Sequence, residues 1–325
     1  MTQKQKCSLK LYSQFLVANH NRYSGLELEK VSPIDGMAHD AVTCFLHRSD
    51  FRPSDLWQYA KPMVTLENCY LVGDDSVLDK SCSRKNELAK WQYFGAVHGE
   101  ANGICMVNML WSDGVNYIPI DYRHYSPQFD DKTKNKHWRE LLDRAEQRGF
   151  KPLYVLTDSW YGSVENMKHI DKKKWRWITN LKTNRQVSQT KGTYVAVADL
   201  ALTEKQVKLV WLKEYGYVLV CKIADQDGGI TYLATNDLEL TNWGQYKKHW
   251  QARWQIEQMH RGIKQTTGLA KNYTTKTKPQ KTHIFAAYVS FIGLEKERRR
   301  TGVSWYEQKA RILREATRGY LRVNA

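Results

Sequence analysis

Between residues 66 and 181 the apolar residues fall in short blocks whose order leaves few folds open. Asn68–Val72 is a buried-type run that leads into Gly73, Asp74 and Asp75. Gly103–Trp111 (GICMVNMLW) and Val115–Tyr122 (VNYIPIDY) have the character of strands, and the Ser112-Asp113-Gly114 turn between them favours an antiparallel hairpin. Lys136–Arg148 has helical periodicity and is stopped by Gly149. Leu153–Leu156 is a short strand running straight into Thr157-Asp158, Glu165–Lys172 is helical, and Trp175–Leu181 is a further strand. Three strands, helix, strand, helix, strand predicts an α/β fold with a mixed sheet flanked by helices.

The remainder of the chain attaches to this core at both ends. Residues 1–65 are short helices broken by turns, Leu9–Ala18 and Gly36–His47 among them, the second preceded by Ser32, Pro33 and Asp35. Two short helices joined by a turn suit a helix-turn-helix DNA reader, although any capped helix carries the same signal. We divide the chain into a helical N-terminal region (1–65), the first part of the core (66–189) and a β-rich insertion (190–240). The second part of the core (241–294) and a basic helical tail (295–325) complete it. The insertion contains the strand patterns Gln206–Leu212, Tyr217–Ile223 and Ile230–Thr235, and the tail follows an apolar helix at His283–Leu294.

Charge narrows the class of partner. The net charge is +16, and residues 241–325 hold 18 Lys and Arg against 5 Asp and Glu, so this quarter contributes 18 − 5 = +13 of it. Such a surface attracts polyanions. Twelve Trp and nineteen Tyr among fifty Lys and Arg favour nucleic acid over an anionic membrane, because aromatic faces stack on bases while cations hold phosphates. No apolar run approaches the roughly 20 residues that span a bilayer. The opening MTQKQKCSLKLYSQF lacks the apolar core of a leader, so a cytoplasmic location is expected. The six cysteines include no CxxC pair, and the ten histidines show no HExxH, which argues against a structural zinc site.

The segment Trp250–Lys264 (WQARWQIEQMHRGIK) concentrates this charge on one face. At about 100° per residue, Trp250, Arg253, Glu257, Arg261 and Lys264 share a stripe roughly 80° wide, with Ala252, Ile256, Met259 and Ile263 opposite. A solvated amphipathic helix would show the same division. A single carboxylate among three cations also suits a site that handles metal ions and phosphates. Asp75 and Asp158 end predicted strands, so the chain supplies carboxylates from three rigid elements. Metal-assisted phosphoryl transfer requires this, since Mg²⁺ takes oxygen ligands. Separations of 83 and 99 residues are too long for a local motif, so their convergence rests on strand order. Neighbouring side chains on a strand point to opposite faces, so only one of Asp74 and Asp75 faces the site, and the position before Ser76 favours Asp75.

These residues carry a resemblance. The chain resembles a DDE transposase of bacterial insertion sequences, on the RNase H-like fold, in the cut-and-paste branch marked by Y-x2-R-x3-E-x6-K. The matching positions are Trp250, Arg253, Glu257 and Lys264, with every interval kept and Trp in place of Tyr. Asp74-Asp75-Ser76 is similar to the family's D-D-T strand end, and Asp158-Ser159-Trp160-Tyr161-Gly162 to its second aspartate block. The resemblance covers about residues 68–294, with a β-rich insertion where the family has one.

What the resemblance implies is an enzyme that binds terminal inverted repeats, cuts the transposon ends and joins the 3′ ends to target DNA. Asp75, Asp158 and Glu257 would hold two Mg²⁺ ions, for which Mn²⁺ would substitute. Trp250, Arg253 and Lys264 would contact DNA, and helix geometry adds Arg261. Double-stranded DNA and a homodimer pairing two ends are the expected partners, in a bacterial cytoplasm. An RNase H-like structure-selective nuclease or resolvase, and an inactivated DNA-binding relative, are the competing functions. Stacking on DNA is open to Trp211, Tyr215, Tyr217, Tyr232 and Trp243 of the insertion and its exit, and Asn184-Arg185 is a further candidate contact.

Overall fold

The computed structural model describes residues 6–83, 85–94, 99–190, 192–224 and 228–324. The first five residues of the segment weighed as a leader, and four in the insertion, lie outside the described residues. The N-terminal helices are α1 (Leu9–Ala18), α2 (Gly25–Val31), α3 (His39–Arg48) and the short α4 (Trp57–Ala60). The helix expected from Gly36 begins only at His39, because Gly36 is in the left-handed region at φ 61°.

The core follows as β1 (Tyr70–Asp79), β2 (Lys90–Phe94), β3 (Gly99–Ser112), β4 (Tyr117–Tyr125), the short α5 (Pro127–Asp130) and α6 (Lys134–Gln147). Then come β5 (Tyr154–Thr157), α7 (Val164–Lys172) and β6 (Trp177–Leu181). β1 pairs antiparallel with β3, and β3 with β4, while β5 lies parallel to β1 and β6 parallel to β5. The central order β4-β3-β1-β5-β6, three antiparallel strands followed by two parallel ones, is the RNase H-like sheet. β2 was not apparent from the sequence. It is a polar edge strand (KWQYF) that shares the outer edge of the long β3 with β4.

β1 does not end at Asp75. Its apolar residues resume at Val77 and Leu78, and it pairs with β3 residue by residue from Tyr70 to Asp79. Both aspartates are therefore mid-strand, and the two faces of β1 are covered by different helices. On one face Gly73 lies under the Trp138 ring of α6, so close that a Cβ there would come within 2.5 Å of it. On the other face Tyr70 Oη is 2.8 Å from Nδ1 of His249, in the helix α8 (Trp243–Trp250) introduced below. α6 itself starts where Thr133 accepts from the Lys136 N–H and ends at Gly149, at φ 83°.

The insertion is built of β7 (Gln186–Ser188), β8 (Val195–Ala196), β9 (Val207–Leu212), β10 (Gly216–Ala224) and β11 (Ile230–Thr235). It continues the core sheet, because β11 pairs with β6 and the order runs on through β10, β9, β7 and β8. After it, α8 (Trp243–Trp250), a 3₁₀ turn at Gln251–Arg253 and α9 (Trp254–Thr266) form one right-handed run. Ala252, Ile256, Met259 and Ile263 are its buried face.

α10 (Thr277–Thr301) is buried on all sides along its middle, as expected of a helix at the centre of a core. The N-terminal region packs on it: Tyr12 Oη lies 2.9 Å from His283 Nδ1, and Ser290 donates to the Ser13 carbonyl at 3.0 Å. The basic run after Leu294 stays in this helix, and two of its arginines are engaged inside the fold. Arg298 and Arg299 both bind Glu295, which is fully buried and also accepts from the Trp305 indole. A last helix, α11 (Trp305–Asn324), is largely exposed. No helix among the described residues is long and apolar enough to cross a membrane.

Candidate active site

A cleft of about 770 Å³ opens over β1 and the end of β5, lined by Asp74, Asp75, Asp158, Glu257, His260, Arg261 and Lys264. Its far wall carries Lys90, Trp91, Tyr93, Tyr125, Lys134 and Trp160. Residues up to 264 − 74 = 190 positions apart in sequence, from Asp74 to Lys264, meet there.

The alternation along β1 sends the two aspartates to opposite faces of the strand, although both line the cleft. Asp74 pairs with Asn108 of β3, whose amide donates to Nε2 of His260 on α9 at 3.0 Å. Asp74 thus shares the face of Tyr70 and of the Glu257 helix. Asp75 faces α6 with Gly73. Its Oδ2 accepts from Lys134 Nζ at 2.8 Å and its Oδ1 from Tyr161 Oη at 3.0 Å, with the Cys105 thiol 3.5 Å away. The reason is steric. The glycine at 73 is what lets Trp138 close on that face, so α6 claims the odd-numbered side chains and α9 the even-numbered ones.

Electrostatics link Asp74, Asp75 and Asp158. Burial raises the Asp74 carboxyl well above its ordinary range, and the nearby carboxylates of Asp158 and Asp75 raise it further. Asp158 is also raised, chiefly by burial, with Asp75 adding to it. A buried group of mutually repelling carboxylates is a donor set that a divalent cation would satisfy. Among the described residues, no three His, Cys, Asp or Glu side chains are drawn together tightly enough to form a finished metal site. Cations inside the cleft take that role instead. Arg253 Nη2 binds Glu257 Oε1 at 2.6 Å, and Arg253 also faces Asp74 and Asp158. Lys264 donates to the Val77 carbonyl at 3.0 Å and is influenced by Asp74, while burial lowers its pKa.

Asp158 does not cap the following helix. Ser163 does that, accepting from the Asn166 N–H, while Asp158 Oδ1 accepts from the N–H groups of Trp160 and Tyr161 at 3.0 and 3.3 Å. Trp250 is half-buried against the core with the Arg253 guanidinium 5.2 Å from its ring centroid, so it positions that arginine by cation–π contact. Arg261 is exposed at the rim.

Several lining residues were not anticipated. His260 is buried, which pushes its pKa down to about 3 and keeps it neutral. Lys90, Tyr125, Lys134 and Trp160 come from edge strand β2, the end of β4, the start of α6 and the turn after β5, whose relative positions only the fold supplies. Of the insertion aromatics, Trp211 and Tyr217 are exposed and pack edge to face. Tyr232 is buried, and Trp243 packs against the core. Tyr215 anchors Asp171 of α7 at 2.6 Å. Arg185 is half-buried and donates to the Gly162 carbonyl at 2.7 Å.

The chain matches the sequence family described as Transposase DDE domain over residues 112–291, and that described as DDE superfamily endonuclease over residues 2–195. Each match spans more than half of the chain, which belongs to the DDE transposase superfamily. That superfamily generally uses divalent metal ions. No curated protein matches the chain. Its fold is similar to the piggyBac transposase in a cryo-EM synaptic complex with hairpin DNA, with TM-score 0.56 and 11% identity. That alignment covers 99% of this chain and 72% of the other. The Drosophila P element transposase strand transfer complex aligns at TM-score 0.31 and 9% identity, over 97% of this chain and 86% of that one, too low a score to support an argument.

Proposed function

We propose that the protein is a transposase of the Tyr-Arg-Glu-Lys branch that binds terminal inverted repeats in double-stranded DNA, cleaves the ends and joins the freed 3′ ends to target DNA. The observation that carries this reading is the cleft itself, where Asp74, Asp158 and Glu257 come from β1, the end of β5 and α9 to a space walled by the four cations Lys90, Lys134, Arg261 and Lys264. We take these three carboxylates as the ligands of two Mg²⁺ ions, with Asp74 in the place expected of Asp75. When bound, such ions supply an acidified water or 3′-hydroxyl and charge for the leaving oxygen.

The protein's own groups do the rest. Lys264 and the exposed Arg261 hold DNA phosphates along one side of the cleft. Arg253 neutralises Glu257 and, were Glu257 to hold a cation, would be available to phosphate. Neutral His260 braces Asn108 under Asp74 and fixes the floor. Pairing two ends calls for two copies of the chain on DNA.

The test uses purified full-length protein with duplexes of the sequences that flank its gene. Cleavage and 3′-end joining should appear with Mg²⁺ or Mn²⁺, vanish in chelator and vanish in Asp158→Asn. Cutting of branched DNA without any joining would establish the nuclease instead. Binding that Asp158→Asn leaves intact, with no cutting by either protein, would reduce the function to DNA binding.

A further inference from the structure

The side of the cleft away from Glu257 is not needed to hold three carboxylates, yet it carries three exposed aromatic rings among lysines. Trp160 is 52% exposed although it sits two residues after Asp158. Its ring lies between two cations, Lys134 Nζ at 5.5 Å and Lys182 Nζ at 5.4 Å from the centroid. Next along the wall, Lys90 Nζ stands 3.4 Å from the Tyr125 centroid. Beyond it Trp91 and Tyr93, on the same side of edge strand β2, are 70% and 63% exposed.

Trp160 is also a boundary. It lines the carboxylate cleft on one side and, on the other, a second hollow formed with Ser159, Ser163, Lys182, Asn184 and Arg185. The ring stands on a rigid turn. Its own N–H is held by Asp158, and the next residue, Tyr161, is buried and bound to Asp75. A large apolar surface fixed in this way, half in water and flanked by ammonium groups, has no partner in the fold that explains its exposure.

We propose that Trp160 is a stacking platform for an unpaired nucleotide next to the scissile phosphate. The strand would leave the carboxylate cleft over this ring, with its phosphates passing to Lys182 and the second hollow. Trp91 and Tyr93 offer further exposed rings along the same wall. The chemistry is that of single-stranded DNA, because a π-face accepts any base only once the base has left its pair. A duplex presents phosphates to the lysines but no base face to the ring. This inference rests on the proposed DNA-cleaving function and is tested without it.

Fluorescence anisotropy in EDTA would compare a labelled oligothymidylate of about 20 nucleotides, long enough to exceed typical single-strand sites, with a duplex of equal length. Trp160→Ala should weaken single-strand binding about tenfold, within the range that loss of one stacked base produces, and leave duplex binding within about twofold. Trp160→Phe should recover most of the loss and controls for folding. Unchanged single-strand affinity, or an equal loss on both DNAs, overturns the proposal. Because no metal is present, a protein that shows this loss but never cuts DNA would refute the cleavage function and leave the platform standing. A protein that cuts DNA with no such loss would do the opposite.

Discussion

Exchanging the two neighbouring carboxylates of β1 separates their roles. Asp75→Asn removes the charge that holds Lys134, in a pair whose side chains are only 14% and 18% exposed. Leaving a buried ammonium without its partner costs about 3–5 kcal/mol. The partial exposure, and the amide's remaining ability to accept from Lys134 or Tyr161, bring this to about 2–4 kcal/mol. In a chain of this size each kcal/mol moves the melting temperature by about 2 °C, so calorimetry should show a fall of about 4–8 °C. Metal-dependent cleavage, read under conditions where the variant is folded, should survive. Asp74→Asn should behave in the opposite way. It relieves a carboxylate that burial and two like charges disfavour, so the protein should melt no lower than wild type, while cleavage falls by at least about a thousandfold, as when a group essential to the chemistry is lost. If Asp75→Asn abolished cleavage at an unchanged melting temperature, and Asp74→Asn still cut, the parity argument would be wrong.

Two further outcomes follow from the packing. Gly73→Ala places a methyl 2.5 Å from the fully buried Trp138 ring, so the variant should lose about 1–3 kcal/mol and show a matching drop in urea midpoint. The histidines His124, His260 and His283 have pKa values pushed down to about 3, about 3 and about 4, burial being the main cause. For these three groups the unfolded chain binds three more protons than the folded one between those values and the ordinary histidine range. Their contribution to stability should be full above about pH 6.5 and fall towards pH 4 by up to about 4.1 kcal/mol per pH unit, as a melting series across that interval would show.

Much of the architecture is legible because it is local. Short apolar runs, the Ser112-Asp113-Gly114 turn and the Gly149 stop after Arg148 are properties of neighbouring residues, and they suffice for the strand and helix order of the core. The two faces of the segment from Trp250 to Lys264 are equally local, since a helix fixes which side chains lie together once its period is known. β2 escaped because Trp91 and Tyr93 face water.

The sequence by itself determined that carboxylates at Asp158, Glu257 and one of the pair Asp74 and Asp75 stand on three rigid elements beside a cationic helix. Only the tertiary structure bears on which of the pair turns to Glu257, and both line the cleft. A strand alternates strictly, but which face meets which helix depends on how α6 packs, and the space left by Gly73 under Trp138 sets it. Tertiary packing also withdrew Arg298 and Arg299 into a buried cluster around Glu295, and raised Trp160 between two lysines at the mouth of the cleft. Charge and aromaticity can be read from sequence. Whether they face water is settled by what else in the chain arrives to cover them.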